Sequence, residues 1–404
     1  MAAAFPDLAD PGLYRSDSWR PHFERLRRED PVYYHPESPY GPYWSVSRYA
    51  DIMTVELDHA TYSSASELGG IQIADQPLGG ELPNFIRMDP PRHTAQRKTV
   101  APIVAPSNLA NMEGLIRERT ASVLDGLPRG ETFDWVDRVS TELTAMMLAT
   151  LFDFPQEDRR KLSYWSDVAI ANVAAEDAVV KSEAERMAEL RKMGETMAAL
   201  WRVRAAQPPK FDLISMMAHS EATRDMPLRE FLGNFGLLIV GGNDTTRNSM
   251  TGGLMAALQS PGEIDKVRAD KTLLASLVSE VIRWQTPVIH MRRTATRDAE
   301  LAGKKIRKGD KVVMWYVSGN RDDEVIERPN DYIIDRERPR QHVSFGFGIH
   351  RCVGNRLAEL QLRVIWEEIL RRFPVIEVVG EPVRLKSCFL RAYRGMPVRI
   401  PARV

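Results

Sequence analysis

Cys352, one of two cysteines in the 404-residue chain, lies in a glycine-rich stretch, residues 345–354. Glycine permits positive φ and lets another group approach the main chain closely, as a ligand-binding loop requires. The apolar spacing that follows predicts an amphipathic helix over residues 355–373, so the cysteine stands just before a helix N-terminus. The unpaired N–H groups and the dipole of that terminus favour a thiolate, the form that binds metal. A lone cysteine in a turn is more often a buried small side chain, so the chemistry depends on its neighbours.

Cys352 belongs to a longer motif, Phe-x-x-Gly-x-x-x-Cys-x-Gly, which begins at Phe345 and ends at Gly354. This motif resembles the haem-binding loop of the cytochrome P-450 family, and related motifs extend over most of the chain. The resemblance implies heme b as the cofactor, with the Cys352 sulfur as the ligand of its iron and O2 as the cosubstrate. It also implies that His350 contacts a haem propionate and that Phe345 and Gly354 belong to the cofactor-binding loop.

The elements that must position this loop are mostly helical. Apolar spacing predicts helices over residues 19–29, 109–126, 139–151, 156–173, 179–206 and 228–258, and strands over residues 32–34, 43–46, 312–317 and 375–378. The resemblance implies a mainly α fold with a small β region (α+β), shaped as a triangular helical prism. The haem would lie between a long distal helix and the helix after the cysteine loop. We expect residues 1–404 to form a single catalytic domain.

The helix predicted over residues 228–258 contains Gly241 and Gly242 in its interior. Each glycine costs about 1 kcal/mol there relative to alanine, so the position must serve another purpose. Small residues allow either close packing of two helices or close approach of a large flat ligand. The resemblance favours the ligand and places Gly241 against the cofactor. It further implies that Asp244 and Thr245 are the acid and alcohol that pass protons through water during catalysis.

Three cationic side chains are candidates for binding the haem propionates. His93 and Arg97 lie four residues apart, and thus on one face of a helix that Asp89 is expected to cap. That spacing alone fits a solvated polar face equally well. The resemblance implies that both residues bind propionates, for which cationic donors are suited. Arg293 matches a further propionate arginine, with Arg292 as the alternative.

Glu280 and Arg283 place an acid and a base on one helix face. Such spacing usually marks a surface pair worth a few tenths of a kcal/mol. The resemblance implies instead a buried structural pair, completed by an arginine from the segment before the cysteine loop. Arg336 is our choice for this third member, with Arg328 as the alternative.

Several apolar residues are candidates for substrate contact. They come from the glycine-rich loop 67–85, the predicted helices, the segment after Pro287 and the turn 387–390. His290 is expected to be structural, as most lone histidines are. The candidates are Ile73, Val168, Leu238, Val288, Ile289, Met291, Phe389 and Leu390.

Residues 238–250 and 290–295 resemble a bacterial subgroup that hydroxylates alkanes and fatty acids at the terminal carbon. Terminal C–H bonds are strong, so such an enzyme must select them by shape, through a narrow apolar channel. One alternative is a monooxygenase of a terpenoid or another bulky apolar compound. A peroxide-driven enzyme is disfavoured because Asp244 and Thr245 are retained. A haem-thiolate sensor or binding protein without turnover is the alternative of another class.

The composition favours a cytoplasmic protein without a membrane anchor. Lys and Arg total 55, as do Asp and Glu, so neither nucleic acid nor an anionic membrane is predicted as a partner. Two cysteines cannot build a disulfide framework and fit a reducing compartment. The sequence has no apolar run of the length of a signal peptide or a membrane span. We expect a monomer.

Electrons from NAD(P)H must reach the haem through other proteins, because the sequence has no flavin or nicotinamide fingerprint and no four-cysteine iron–sulfur spacing. The resemblance implies a 2Fe–2S ferredoxin and a ferredoxin reductase as partners. Arg351, Arg356 and Arg363 around the cysteine loop are candidates for a basic docking face. Exposed arginines also commonly serve as solvated charges alone.

Overall fold

The computed structural model describes residues 5–75, 82–173, 175 and 178–402, and most of them are helical. The predicted mainly α fold with a small β region is confirmed. The helices are α1 (Pro11–Arg15), α2 (Arg20–Glu29), α3 (Tyr49–Leu57), α4 (Arg92–Val100), α5 (Pro106–Asp125), α6 (Glu142–Leu151), α7 (Arg159–Ala169), α8 (Glu183–Ala205), α9 (Leu213–His219), α10 (Leu228–Gln259), α11 (Pro261–Ala269), α12 (Leu274–Gln285), α13 (Tyr316–Gly319) and α14 (Asn355–Arg372).

The strands form one larger sheet and three small ones within the described residues. They are β1 (Val32–His35), β2 (Tyr43–Val46), β3 (Tyr62–Ser63), β4 (Thr132–Asp134), β5 (His290–Ala295), β6 (Ala299–Leu301), β7 (Lys304–Ile306), β8 (Lys311–Trp315), β9 (Glu377–Val378), β10 (Val383–Arg384), β11 (Tyr393–Gly395) and β12 (Pro397–Arg399). The larger sheet has the order β1-β2-β8-β5-β3. Its β2–β8 pair is parallel, with Trp44 opposite Val312, and its other pairs are antiparallel.

Helix α10 passes through the centre of the helical region. Its C-terminal half packs with α12 and α14 in one apolar cluster, which includes Leu254, Val281 and Ile365. Its N-terminal half packs with α6 and α9 in a second cluster, which includes Leu148 and Phe235. Each buried side chain of this size contributes roughly 1.5–3 kcal/mol through removal of apolar surface from water. The two clusters therefore fix the long helix along its whole length.

The long predicted helices are all present, with ends that differ by a few residues. The prediction that Asp89 caps α4 is wrong: Pro91 occupies the cap position, without a side-chain cap. The Asp89 carboxylate instead accepts hydrogen bonds from Ser63 Oγ and the Ser64 amide, which ties α4 to the chain after β3. The strand predicted over residues 312–317 ends at Trp315, because α13 begins at Tyr316.

No helix among the described residues combines the length and the apolar character that crossing a membrane requires.

Candidate active site

A cavity of about 230 Å³ lies between α10 and the loop that precedes α14. Residues distant in sequence meet in its wall, because α4, α10, β5 and the cysteine loop all border it. Twelve of the candidate cofactor, catalytic and substrate residues line it: His93, Arg97, Leu238, Gly241, Thr245, Val288, Met291, Arg293, Phe345, His350, Cys352 and Gly354.

The cysteine loop is held in shape by its backbone. Gly346 and Gly348 have φ of +62° and +63°, a region that side chains disfavour. A Cβ atom on Gly348 would lie 2.3 Å from the Glu56 carbonyl oxygen, so glycine is required for this close approach. The Cys352 amide donates to the Phe345 carbonyl oxygen at 2.8 Å and closes the loop. Gly354 has an ordinary negative φ, and a Cβ there would meet no protein atom within 4 Å.

The Cys352 side chain is reached from the cavity while protein surrounds it on the other sides. This burial raises the pKa of the thiol, although the Gly354 amide and the guanidinium groups of Arg97 and Arg351 oppose it. The Gly354 amide at the start of α14 thus acts in the direction expected of a helix N-terminus, but desolvation outweighs it in the protein alone. A bound metal cation would reverse the balance, because a coordinating thiol loses its proton.

Four cationic or ionisable side chains form one side of the cavity. The rings of His93 and His350 lie with their centroids 4.3 Å apart, and Arg97 and Arg293 border the same space. Burial lowers the pKa of His93 to about 4. Burial, followed by the charge of Arg293, lowers the pKa of His350 to about 2. Both ring nitrogens of His93 and Nδ1 of His350 are buried without a partner, so this side is prepared for a ligand with acceptor oxygens.

Arg293 is held by a buried acid that the sequence did not reveal. Its Nη2 donates to Glu56 Oε2 at 3.1 Å, and its Nη1 donates to the Arg292 carbonyl oxygen at 2.8 Å. Tyr316 donates to the other carboxylate oxygen of Glu56. In the sequence, Glu56 is an ordinary acid on a short helix, and no local pattern marks its contact with β5. Arg292, the alternative propionate residue, points to the other face of β5 and donates to the Leu68 carbonyl oxygen.

On the α10 side of the cavity, Gly241 leaves open space and Thr245 presents its hydroxyl. Thr245 Oγ1 donates to the Gly241 carbonyl oxygen at 2.6 Å. The Asp244 carboxyl points away from the cavity, accepts from Ser166 Oγ at 2.7 Å and pairs with Arg247. Burial raises the pKa of Asp244, and Arg247 opposes the shift. The structure thus places the alcohol in the cavity wall and the acid behind it, against α7.

Glu280 lies outside the cavity, in a network of buried charges. It accepts from Arg283 Nε and Nη2, each at 2.7 Å, and from Arg336 Nε at 3.0 Å. The Ile333 amide also donates to it. Arg328, the alternative third member, instead pairs with Asp331 at the surface. The structure therefore brings Arg336 to the pair.

The substrate candidates divide into two groups. Leu238, Val288 and Met291 border the cavity. Ile73 and Ile289 pack in an apolar cluster on the far side of the wall, and Val168, Phe389 and Leu390 also lie outside it. Ile289 faces away from the cavity although both Val288 and Met291 border it, so the side-chain alternation of a regular strand is interrupted between residues 288 and 291. Apolar residues that line the cavity without having been predicted include Phe85, Val104, Met147, Leu148, Leu213 and Leu237. Their helical spacing does not distinguish them from ordinary core residues.

The residues present fit a haem. Cys352 offers a sulfur ligand, Gly241 and Gly354 leave space on opposite walls, and unpartnered nitrogens stand where two propionates need donors. Cys352 would hold the iron, and His93, Arg97, Arg293 and His350 would hold the propionates.

Comparison with known proteins agrees with this fit. A model of the cytochrome P-450 family matches residues 182–391. Linalool 8-monooxygenase of Pseudomonas putida is 38% identical, over 97% of this chain and 98% of the relative. The structure of cytochrome P-450-153 from Novosphingobium aromaticivorans superimposes with a TM-score of 0.91 at 46% identity, over 98% of this chain and 99% of the other. That of CYP153D17 from Sphingomonas sp. PAMC 26605 gives 0.91 at 49% identity, over 98% of both chains.

Proposed function

Because this chain belongs to the cytochrome P-450 family and is a haem-dependent monooxygenase, we propose that it hydroxylates the terminal carbon of a linear medium-chain alkane or fatty acid. This oxidoreductase uses haem iron and O2. Its electrons come from NAD(P)H and arrive through partner proteins. The proposal concerns the substrate and the position of attack. It is supported by the character of the cavity wall and by the resemblance of residues 238–250 and 290–295 to terminal hydroxylases.

One observation carries the proposal: apart from the side that fits the propionates, the described part of the cavity wall has no acidic or basic side chain other than the Cys352 thiol. The remaining wall is mostly aliphatic and aromatic, with Leu237, Leu238, Val288 and Met291 among its members. An apolar chain gains from burial there, whereas a carboxylate would lack a cationic partner. A fatty acid must therefore keep its carboxylate at the mouth of the cavity and enter with its methyl end.

Bound haem supplies the activation of O2 that inserts one oxygen atom into a C–H bond and reduces the other to water. The protein binds and orients the substrate, excludes water by its apolar wall and controls protons. Thr245 Oγ1 is a hydroxyl of the wall that can hold a proton or a water molecule next to the reacting carbon. To donate to Thr245, the Asp244 carboxyl must leave Ser166 and Arg247, so proton delivery depends on that rotation.

A second candidate is hydroxylation of a terpenoid. The relative from Pseudomonas putida is named for the oxidation of linalool, and it matches nearly the whole chain. A branched terpenoid alcohol needs a wider cavity than a linear chain and a polar partner for its hydroxyl. Thr245, Thr246 and Ser249 offer hydroxyl groups in the wall.

The experiment is reconstituted turnover with a surrogate ferredoxin and reductase, on octane, dodecanoic acid and linalool. Mass spectrometry of the products reads the position of the new hydroxyl. The proposal expects 1-octanol and 12-hydroxydodecanoic acid as main products. Internal alcohols, or oxidation of linalool alone, would reject it and leave the monooxygenase assignment intact. The Cys352→Ala variant is the control for products that do not depend on haem.

We further propose that a 2Fe–2S ferredoxin is the electron donor and that it binds beside the cysteine loop. We also propose that this protein is a monomer. Arg351 and Arg356 are exposed there. Arg363 is already paired with Glu113 at 2.7 Å and Glu367 at 2.9 Å, so its charge is largely compensated. Arg356→Ala should raise the ferredoxin concentration for half-maximal rate at low salt more than Arg363→Ala does. Equal effects of the two variants would reject this face, and size-exclusion chromatography with light scattering tests the monomer.

A further inference from the structure

The cavity wall contains an extended segment, residues 287–292, whose backbone forms hydrogen bonds with neighbouring segments along both of its edges. Pro287, Val288 and Met291 border the cavity. On one edge, the Ile289 amide donates to the Phe389 carbonyl oxygen at 2.9 Å, and the Arg391 amide donates to that of Pro287 at 2.8 Å. On the other edge, the Arg292 amide donates to the Ile71 carbonyl oxygen at 2.8 Å. Strand β8 pairs with residues 290–294, and the loop 71–73 and the turn 387–391 add the hydrogen bonds that fix the rest of this part of the wall.

His290 joins these two flanking segments through its ring. Nδ1 lies 2.8 Å from the Cys388 carbonyl oxygen, and Nε2 lies 3.1 Å from the Ile73 amide nitrogen. A carbonyl oxygen can only accept and an amide N–H can only donate, so the ring must be neutral, with its proton on Nδ1. The ring is completely buried, and burial lowers its pKa to about 4, which keeps that neutral form.

We propose that His290 is a positioning residue that sets the width of the substrate cavity, by fixing the loop 71–73 and the turn 387–391 on the two sides of residues 287–292. Val288 and Met291, which flank it in sequence, face the cavity, so a shift of either edge moves them. This role rests on the proposed function, because selectivity is measured from the hydroxylated products. His290 thereby acts on selectivity without contacting the substrate.

Other contacts keep the loop attached when the His290 bond is lost. Lys311 Nζ donates to the Ile73 carbonyl oxygen at 2.9 Å. Arg292 donates to the Leu68 carbonyl oxygen at 3.1 Å. The ring of His290 packs edge-on against Trp315 and Phe389, at centroid distances of 5.2 Å and 5.4 Å. A phenylalanine ring can keep this packing and lose both hydrogen bonds, so the expected change is local.

The test compares His290→Phe with His290→Gln and with a matched control, His35→Phe. The Gln amide oxygen can accept from the Ile73 amide, so this variant keeps the loop edge. His35 is also buried, stacks on Tyr43 and bonds Ser45, and is not part of the cavity wall. Each variant is assayed as the haem-bound protein. The readouts are the carbon monoxide difference spectrum, the substrate-induced spin-state shift, and the ratio of terminal to internal alcohols from octane.

We expect His290→Phe to keep the thiolate-type spectrum, to lower the terminal-to-internal ratio at least fivefold and to weaken substrate binding about tenfold. In His290→Gln, the decrease in the logarithm of the terminal-to-internal ratio should be at most half of that in His290→Phe. The His35→Phe substitution should change the ratio less than twofold. A ratio within twofold of wild type in His290→Phe overturns the proposal. Loss of the haem spectrum in both His290 variants also overturns it, since the residue would then hold the fold.

Products of the wild-type protein test the substrate proposal separately from the role of His290. If wild-type protein oxidises linalool and leaves octane unchanged, the alkane assignment fails. The His290 comparison is then made on the isomers of the linalool product, with the same fivefold criterion for support and the same twofold criterion for rejection.

Discussion

Replacing Arg336 by alanine should lower the free energy of unfolding by about 2–3 kcal/mol. The Arg336 side chain is 8% exposed, and its bond to Glu280 is charge-assisted. Net contributions of such bonds are roughly 1.5–3 kcal/mol. Glu280 keeps its two bonds from Arg283 and one from the Ile333 amide, so the carboxylate is not left unpaired, and the full 3–5 kcal/mol of a broken buried pair is not reached. The carbonyl oxygens of Arg328 and Asp331 also accept hydrogen bonds from Arg336. They are exposed, so water can replace the guanidinium group as their donor.

Arg328→Ala is the matched control for this substitution. Its ion pair with Asp331 is exposed, with 66% and 50% of the two side chains accessible, and such pairs contribute about 0–1 kcal/mol. Both variants would be unfolded in urea as the haem-bound protein, with far-UV circular dichroism and Soret absorbance recorded together. Equal slopes against urea concentration allow the midpoints to be compared. If the two variants differ by less than about 0.5 kcal/mol, the reasoning about the buried network is refuted.

Three further outcomes are expected. Cys352→Ala should lose the red-shifted carbon monoxide band of the reduced protein while Cys388→Ala keeps it, and the reverse pattern would identify Cys388 as the ligand. Thr245→Ala should retain haem and substrate binding but consume NADH without forming an equivalent amount of product; unchanged coupling would remove Thr245 from proton delivery. Burial lowers the pKa of His35 to about 4, whereas an unfolded histidine titrates near 6.5. The unfolded chain thus binds more protons between these values, so stability should fall as pH drops from about 6.5 toward 4, by at most about 3 kcal/mol from this residue. The difference between wild type and His35→Phe should show that slope, and parallel pH curves for the two proteins would contradict the assignment.

The long helices and the cysteine loop could be predicted because their signals are local. Helix α10 follows from its apolar spacing, and Gly241 and Thr245 meet the cavity because they lie one turn apart on it. Glycine at 346 and 348 permits the positive φ found there, although the residue type alone does not require it, since Gly354 has a negative φ. A motif with fixed spacing carries its own geometry, and Phe345, His350, Cys352 and Gly354 lie together in the cavity wall.

The remainder depends on contacts between distant segments. The pairing of Glu56 with Arg293 joins α3 to β5, and neither sequence neighbourhood announces it. The direction of the Asp244 side chain is set by Ser166 on α7 and by Arg247. The pKa of Cys352 depends on how completely the surrounding protein removes water, which cannot be read from a helix N-terminus alone. In each case, tertiary packing outweighs the local signal.

The parallel pairing of β2 with β8 has a consequence for how the chain acquires its shape. Val46 lies opposite Met314, so the larger sheet joins the first part of the chain to a part made much later in synthesis. Closing so long a loop has an entropic cost that must be met before the pairing contributes, and contacts of this kind form late. Because residues 290–292 of the wall segment belong to β5, which pairs with β8, this part of the cavity wall is completed only after β8 has been synthesised, and the cysteine loop follows later still. Helix α6 and the N-terminal half of α10 can pack on each other before that point, whereas the C-terminal half of α10 keeps an exposed apolar face until α12 and α14 follow. Apolar surface that is exposed in this way during synthesis favours aggregation.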